Sequence, residues 1–403
     1  MKTNNKHSIF SIITRTVLIL SLVSLFTDIS SEMLYPIMPL FLREIGFSVI
    51  GIGILEGLAQ AVAGLGKGYF GNLSDHIHKH NIFVQTGYFI SSIAKPLMGL
   101  FPNTGVVFGA RTMDRLGKGL RTAPRDALLI QESTSDHRGK VFGFHRGMDT
   151  LGAAIGPFIA LIILHFYPGK YTILFLIAFI PGIIGFFITL RLPKERFATV
   201  IKNNENKSLF NFFKFFGFWK TSNPAYKKLV IGFLFFALFN SSDLFLLLRA
   251  KDFGLSDTSI IGAYIFFNII YALMSYPIGI LADKLGLRKI YVGGLLLFAF
   301  IYFIFGSDIQ LSVLLFGLLF GFYGIFAAMN ESITKALISL YIPVEQKGTG
   351  MGLYLTFSTF AFLIASPLTG FLWQYISAQM AFTVIAIAAL LCALYMSLIS
   401  LSD

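Results

Sequence analysis

Between Arg111 and Asp126 an otherwise apolar stretch carries Arg111, Asp114, Arg115, Lys118, Arg121, Arg125 and Asp126. Steps of three and four place most of them along one helical face. A guanidinium shielded from water binds carboxylate or phosphate oxygens in a bidentate way. Arg111, Arg115 and Lys118, nearest the middle of the stretch, are therefore candidates for holding an anionic solute. Arg121 and Arg125, nearer its end, are expected to pair with carboxylates on neighbouring segments. Those carboxylates bring a second chemistry. Asp28 and Glu32 lie four residues apart on a face shared with Tyr35 and Pro39, and Glu56, Gln60 and Lys67 share another. An acid removed from water holds its proton more readily and can exchange it when its surroundings open. Asp28, Glu32, Glu56 and Asp149 are the candidates for proton coupling; the alternative is that each acid only neutralises a nearby cation. Lys95, beside Pro96, is expected to partner one of these acids. Arg146 is spaced to pair with Asp149, and His145 is expected to be a satisfied core residue. The second half is plainer and more aromatic. It offers Asn240, Asp243, Asn268, Asn330, Glu331, Thr334 and Lys335, of which Glu331 and Lys335 have the i, i+4 order of a helical ion pair.

Such groups need elements that can hold them inside a membrane. Of the 403 residues 55% are hydrophobic and only 13% charged, against roughly 25% charged in soluble domains. The mean hydropathy of +0.74 excludes a soluble enzyme, and the apolar residues fall in runs of about 20, the length of a bilayer-spanning helix. They do not alternate strictly, which argues against a transmembrane barrel. Spans are expected at about 14–42, 48–72, 82–101, 105–130, 140–165 and 171–191, then at about 228–250, 258–281, 289–306, 310–339, 350–373 and 379–400. The class is an all-α polytopic membrane protein of twelve transmembrane helices in two six-helix pseudo-repeats. The loops on one side hold roughly 18 Lys and Arg against roughly four on the other, which orients both termini to the cytoplasm. The formal net charge of +12 thus points to anionic membrane lipid rather than nucleic acid. Lys2, Lys6 and Arg15 before the run from Val17 imitate a signal peptide, yet no small-residue cleavage site follows and the run continues past Leu40. It reads as a first span.

The organisation is a six-helix bundle at 1–192, a cytoplasmic linker at 193–227 and a second bundle at 228–403. In the linker, Ser208 to Lys220 interleaves aromatic residues with Lys214 and Lys220, as a helix lying in the headgroup layer would. One cysteine, Cys392, leaves neither a disulfide nor a thiolate metal site within the chain. His76, His78 and His80 alternate in one loop and are expected to stand in for surface cations rather than bind metal. No phosphate-binding Gly-Lys-Ser/Thr loop occurs, no cofactor is expected, and energy should come from an ion gradient.

The halves repeat. Gly71 to Asp75 closes the second span and Gly279 to Asp283 the eighth, and Gly156-Pro157 in the fifth is echoed by Ser366-Pro367 in the eleventh. These corners resemble the signature loop of the major facilitator superfamily, Gly-x-x-x-Asp-(Arg/Lys)-x-Gly-x-(Arg/Lys)-(Arg/Lys), and the likeness covers nearly the whole chain. The second copy has Gly279, Asp283, Lys284, Gly286, Arg288 and Lys289. The first keeps Gly71, Asp75 and Lys79 but has His76 for the basic residue and His78 for the glycine, a position whose backbone conformation histidine adopts at a cost. Gly143, Gly152, Gly156 and Pro157 are similar to the fifth-helix motif of drug and proton antiporters, in which small residues allow backbone contact and proline a bend. The family's basic motif in the fourth helix is present loosely, as Arg111, Asp114, Arg115, Gly117, Lys118 and Gly119.

The resemblance implies a secondary active transporter, not an enzyme, that works by alternating access as a functional monomer at the cytoplasmic (inner) membrane. The expected solute is small, organic and anionic or zwitterionic, with Arg111, Arg115, Lys118, Tyr35, Asn240, Asp243 and Asn330 binding it. Protons are the expected coupling ion, export is favoured, and Asp75, Arg121, Arg125, Asp283 and Arg288 are expected to gate. A multidrug exporter of lipophilic cations and a siderophore transporter are the alternatives within the class; a solute sensor and a membrane-embedded lipid enzyme are those outside it.

Overall fold

Apolar runs deep in a bilayer must satisfy their own backbone hydrogen bonds, and here they do so as helices. The computed structural model describes residues 13–132, 138–194, 212–307, 309, 312–343 and 347–401, and no strand occurs among them. The first span is α1 (Arg15–Glu32) and α2 (Met38–Glu44), joined by a 3-10 turn at Tyr35–Ile37. α3 (Val49–Ile77), α4 (His80–Leu100), α5 (Thr104–Gln131), α6 (Arg138–Phe166) and α7 (Tyr171–Thr189) are the next five. After the short α8 (Phe212–Thr221), α9 (Pro224–Ala237) and α10 (Leu244–Asp252) make up the seventh. α11 (Asp257–Leu285), α12 (Leu287–Phe305), α13 (Val313–Ser339), α14 (Lys347–Tyr375) and α15 (Ala378–Leu398) complete twelve.

Nine of these spans are, among the described residues, long and apolar enough to cross a bilayer by composition alone. The other three are α4, α5 and the α9–α10 pair, and each has a physical reason. α4 and α5 turn their polar residues toward each other, while α9 and α10 are interrupted at Leu238–Asp243. The first span is interrupted at the equivalent place, before Pro36 and Pro39. The chain expected to be continuous at 14–42 and at 228–250 is broken in both, which adds a third echo between the halves.

The described residues group into two compact units, Met1–Tyr35 with Leu65–Phe210, and Pro36–Gly64 with Asn211–Asp403. In the first unit small residues set the helix spacing. A Cβ added to Gly117 on α5 would fall 2.6 Å from the Gly87 carbonyl oxygen of α4. A Cβ on Gly152 or Gly156 of α6 would fall 2.6 Å from the carbonyl oxygens of Leu25 and Ile29 on α1. Backbones this close exclude any side chain between them.

In the second unit aromatic rings fill the core: Phe298 stacks on Tyr302 at 4.0 Å and lies 4.7 Å from Phe326, and Phe305 packs on Phe382 at 5.9 Å. Arg43 on α2 forms an ion pair with Asp252 on α10. The backbone N–H of Ser242, freed by the break, donates to Ser366 Oγ on α14 at 3.2 Å. Phe218 of α8 is buried, its ring 5.3 Å from that of Tyr226. Cys392 is fully buried in α15, and its Sγ donates to the Gly232 carbonyl at 3.3 Å.

Candidate functional site

Helix spacing places Tyr88, Ser91, Ser92 and Lys95 on one face of α4, opposite the charged face of α5. Ser91 Oγ donates to the Asp114 carbonyl at 3.0 Å and accepts from Arg121 Nη1 at 2.7 Å. The Arg121 guanidinium also lies over the Tyr88 ring, 4.4 Å from its centre. Asp114 is the shared anion of the stripe: its Oδ2 lies 3.7 Å from Arg111 Nη1 and 3.9 Å from Arg115 Nε, and all three residues are buried. Lys95 is 2% exposed, in the field of Asp114 and Asp28 on the favourable side and of Arg121 and Arg115 on the unfavourable.

Lys118 alone of the basic residues on α5 is exposed. Its charged neighbours are Arg115, Lys67, Asp28 and Arg121. Asp28, half-buried on α1, has Asp149 and Glu32 as acidic neighbours and Lys118 and Arg121 as basic ones. Six of the sequence candidates, Asp28, Glu32, Asp149, Arg115, Lys118 and Arg121, thus form one electrostatic cluster. Arg125 turns aside to its neighbour Asp126 at 2.9 Å and to Ser24 Oγ at 3.3 Å.

His145 is 4% exposed, with Nδ1 3.4 Å from Ser21 Oγ and Nε2 3.8 Å from Asp149 Oδ1. Asp149 therefore meets His145 one helical turn back, and Arg146, its expected partner, is exposed. Within this cluster Lys67, Lys95, Arg111, Arg115, Lys118, Arg121 and Arg125 outnumber Asp28, Glu32, Asp114, Asp126 and Asp149. At membrane depth a surplus of cations is costly without an anion, and ordinarily marks a functional site.

Glu56 belongs to the second unit and is fully buried there. In that unit Asn240 stands in the break between α9 and α10. Its Oδ1 is buried and makes no hydrogen bond among the described residues. Asn330 Oδ1 accepts from Thr334 Oγ1 at 3.1 Å, and both residues line one cavity together with Asn240 and Lys335. Asp243 is turned away to Tyr323, whose hydroxyl donates to its Oδ1 at 2.6 Å. Tyr35 is half-buried at the turn that interrupts the first span.

At the repeated corners, His78 takes a φ of +53° and its counterpart Gly286 one of +96°. His80 is buried and its Nδ1 lies 3.1 Å from Ser74 Oγ, and no group of three metal-ligating side chains occurs among the described residues. Arg288 donates from Nε to the Met396 carbonyl. The surroundings of Asp75, His76, Gly143, Asp283 and Glu331 lie outside the described residues.

Lys95 and Asp114 carry more of the cluster than the sequence reading gave them. The signal was available for Lys95, since Tyr88, Ser91, Ser92 and Lys95 trace a polar stripe along a helix that otherwise faces apolar surroundings.

A twelve-span helical protein with broken first and seventh spans, echoed corners and an ionisable cluster inside the membrane has the architecture of a secondary transporter. Comparison with known proteins agrees. The model of the Major Facilitator Superfamily matches residues 20–266 and 244–402. The MFS-type transporter MJ1317 of Methanocaldococcus jannaschii is 33% identical over 380 residues, 92% of this chain and 91% of that one. In fold, the chain is similar to the nucleoside transporter NupG, with a TM-score of 0.74 at 14% identity over 96% of this chain and 100% of the other. It is similar also to a POT family transporter in complex with 5-aminolevulinic acid, with a TM-score of 0.77 at 14% identity over 94% and 95% of the two chains. The chain belongs to the major facilitator superfamily, and it is a multi-pass membrane transporter of a small-molecule solute.

Proposed function

We propose that the chain is a proton-coupled secondary transporter that moves a small anionic or zwitterionic organic solute across the cytoplasmic membrane by alternating access, in the direction of export. The observation that carries this reading is the surplus of cations around the buried Arg111 and Arg115 and the exposed Lys118, which an arriving carboxylate or phosphate would neutralise. Asp28, Glu32 and Asp149 supply acids close enough to those cations for solute and proton to compete for the same field. Arg121 and Arg125, with Asp75, Asp283 and Arg288 at the corners, are assigned to gating. Nothing in the fold distinguishes export from uptake physically, because alternating access is reversible; the antiporter-like glycine spacing of the fifth span is what favours export.

The test is thermal stabilisation of the purified protein by a panel of organic carboxylates, organic phosphates and lipophilic cations. A ligand at 100 times its dissociation constant adds about 2.7 kcal/mol to stability. Anions should stabilise the wild type and lose that effect in Arg115→Ala and in Lys118→Gln, the second variant altering an exposed side chain. Exchange of the stabilising anion in vesicles should follow an imposed pH gradient. Stabilisation by cations alone would reverse the assignment and leave the basic stripe as an internal ion-pair network.

A further inference from the structure

The second unit holds an open-sided cavity of about 240 Å³ lined by α9, α12, α13 and α14. At the close packing of protein interiors, about three-quarters of such a space is filled, which admits a molecule on the order of ten non-hydrogen atoms. Two kinds of wall meet there. Phe233, Tyr291 and Tyr354 form an aromatic side, with the Phe233 ring centre 4.9 Å from that of Tyr291 and 5.9 Å from that of Tyr354. The polar side consists of Asn240, Asn330, Thr334 and Lys335.

The orientation of these amides is informative. Thr334 donates to Asn330 Oδ1, so the unused capacity of that amide is its Nδ2 hydrogens, which are donors. Asn240 offers the opposite: its buried Oδ1 has no donor among the described residues, and a buried acceptor without one costs about 1–3 kcal/mol. Lys335 adds a positive charge at the exposed rim. Aromatic faces favour a flat ring, an ammonium with a neighbouring amide donor favours a carboxylate, and the Asn240 oxygen favours a ligand hydroxyl or ring N–H.

We infer that this cavity binds a small aromatic or heteroaromatic carboxylate that carries a second hydrogen-bond donor. The ring lies among Phe233, Tyr291 and Tyr354, the carboxylate meets Lys335 and Asn330 Nδ2, and the donor meets Asn240 Oδ1. The inference rests on the reading of the chain as a carrier of an organic anion and narrows it. The sequence reading placed Asn240, Asp243 and Asn330 among the solute-binding residues, gave the aromatic rings of the second half apolar shaping, and paired Lys335 with Glu331.

The probe is 4-hydroxybenzoate, with benzoate, 4-hydroxybenzamide and hexanoate as controls, measured by thermal stabilisation and by isothermal titration on the full-length purified protein. Binding of 4-hydroxybenzoate should exceed that of each control, which lacks the hydroxyl, the charge or the ring. Lys335→Gln should weaken it at least tenfold, and Asn240→Asp, which sets a carboxylate in the cavity, should weaken it too. Lys335→Gln should melt near the wild type without ligand, since Lys335 is exposed; Asn240→Asp buries a carboxylate and should melt lower, so its binding is read by titration at a temperature where it is folded. If hexanoate binds as well as 4-hydroxybenzoate, or if Arg115→Ala abolishes binding and Lys335→Gln leaves it unchanged, the cavity assignment is overturned while the anion-carrier reading stands. If no carboxylate or phosphate of any kind stabilises the protein, both fall together.

Discussion

Asp114 is the anion that three cations share. Its carboxylate sits between Arg111 and Arg115 and is also the strongest favourable partner of Lys95. Lys95 Nζ makes no hydrogen bond among the described residues. Removing one member of such a group is not symmetrical. Breaking a buried pair costs about 3–5 kcal/mol because the partner charge is stranded, whereas replacing a buried ion by an apolar side chain of like volume is often neutral. Asp114→Asn should therefore lower the melting temperature of the purified protein sharply. Lys95→Met should lower it little or raise it, since it removes a cation from the field of Arg115 and Arg121. Equal losses from the two changes would show that Lys95 anchors the helix pair as much as the acid does. The charges themselves were plain in the sequence, as ionisable residues in apolar runs always are. What was hidden was the direction each side chain takes off its helix. Arg121 meets Ser91 and Tyr88, and Asp149 meets His145 rather than Arg146, because helical periodicity fixes the face a residue occupies but not the neighbour across from it.

Elements that report on their own backbone were the easiest to read. The corner after α3 puts histidine where its repeat after α11 puts glycine, and both positions adopt a positive φ, His78 at +53° and Gly286 at +96°. A non-glycine residue there is strained by about 1–2 kcal/mol, and a β-branched one by more. His78→Gly should leave the melting temperature unchanged or slightly raised, and His78→Val should lower it; a Val variant as stable as the Gly variant would mean the corner relaxes to an ordinary turn. The glycines of α6 were legible in the same way, since Gly152 and Gly156 stand where α1 comes within backbone contact. The breaks in the first and seventh spans were not read, although Pro36, Pro39 and the run Asn240 to Asp243 mark them. A polar run within a hydrophobic stretch reads as a set of side chains, and only the fold shows that one of them, Ser242, presents a backbone N–H that Ser366 satisfies.

Across the whole chain the two units divide the chemistry. Ionisable residues at membrane depth concentrate in the first, and stacked rings fill the second. The number of spans and the family followed from hydropathy and repeated corners, because both are properties of sequence order. The cavity did not, because it is lined by four helices distant in sequence, of which α12 contributes Tyr291 from an otherwise apolar run. From the distribution of Lys and Arg we expect Lys194 on the cytoplasmic side and Lys170 on the opposite one. In intact cells a membrane-impermeant maleimide should label Lys170→Cys and should reach Lys194→Cys only after permeabilisation; the reverse pattern would invert the topology. The sole native thiol makes that experiment simple. Cys392 is enclosed by α15 and α9 and hydrogen-bonded to a backbone carbonyl, and a thiol without access to water does not form the thiolate that reacts. The wild-type chain is in effect its own cysteine-less background, ready for single-site spin or fluorescent labels at any exposed position without first being re-engineered.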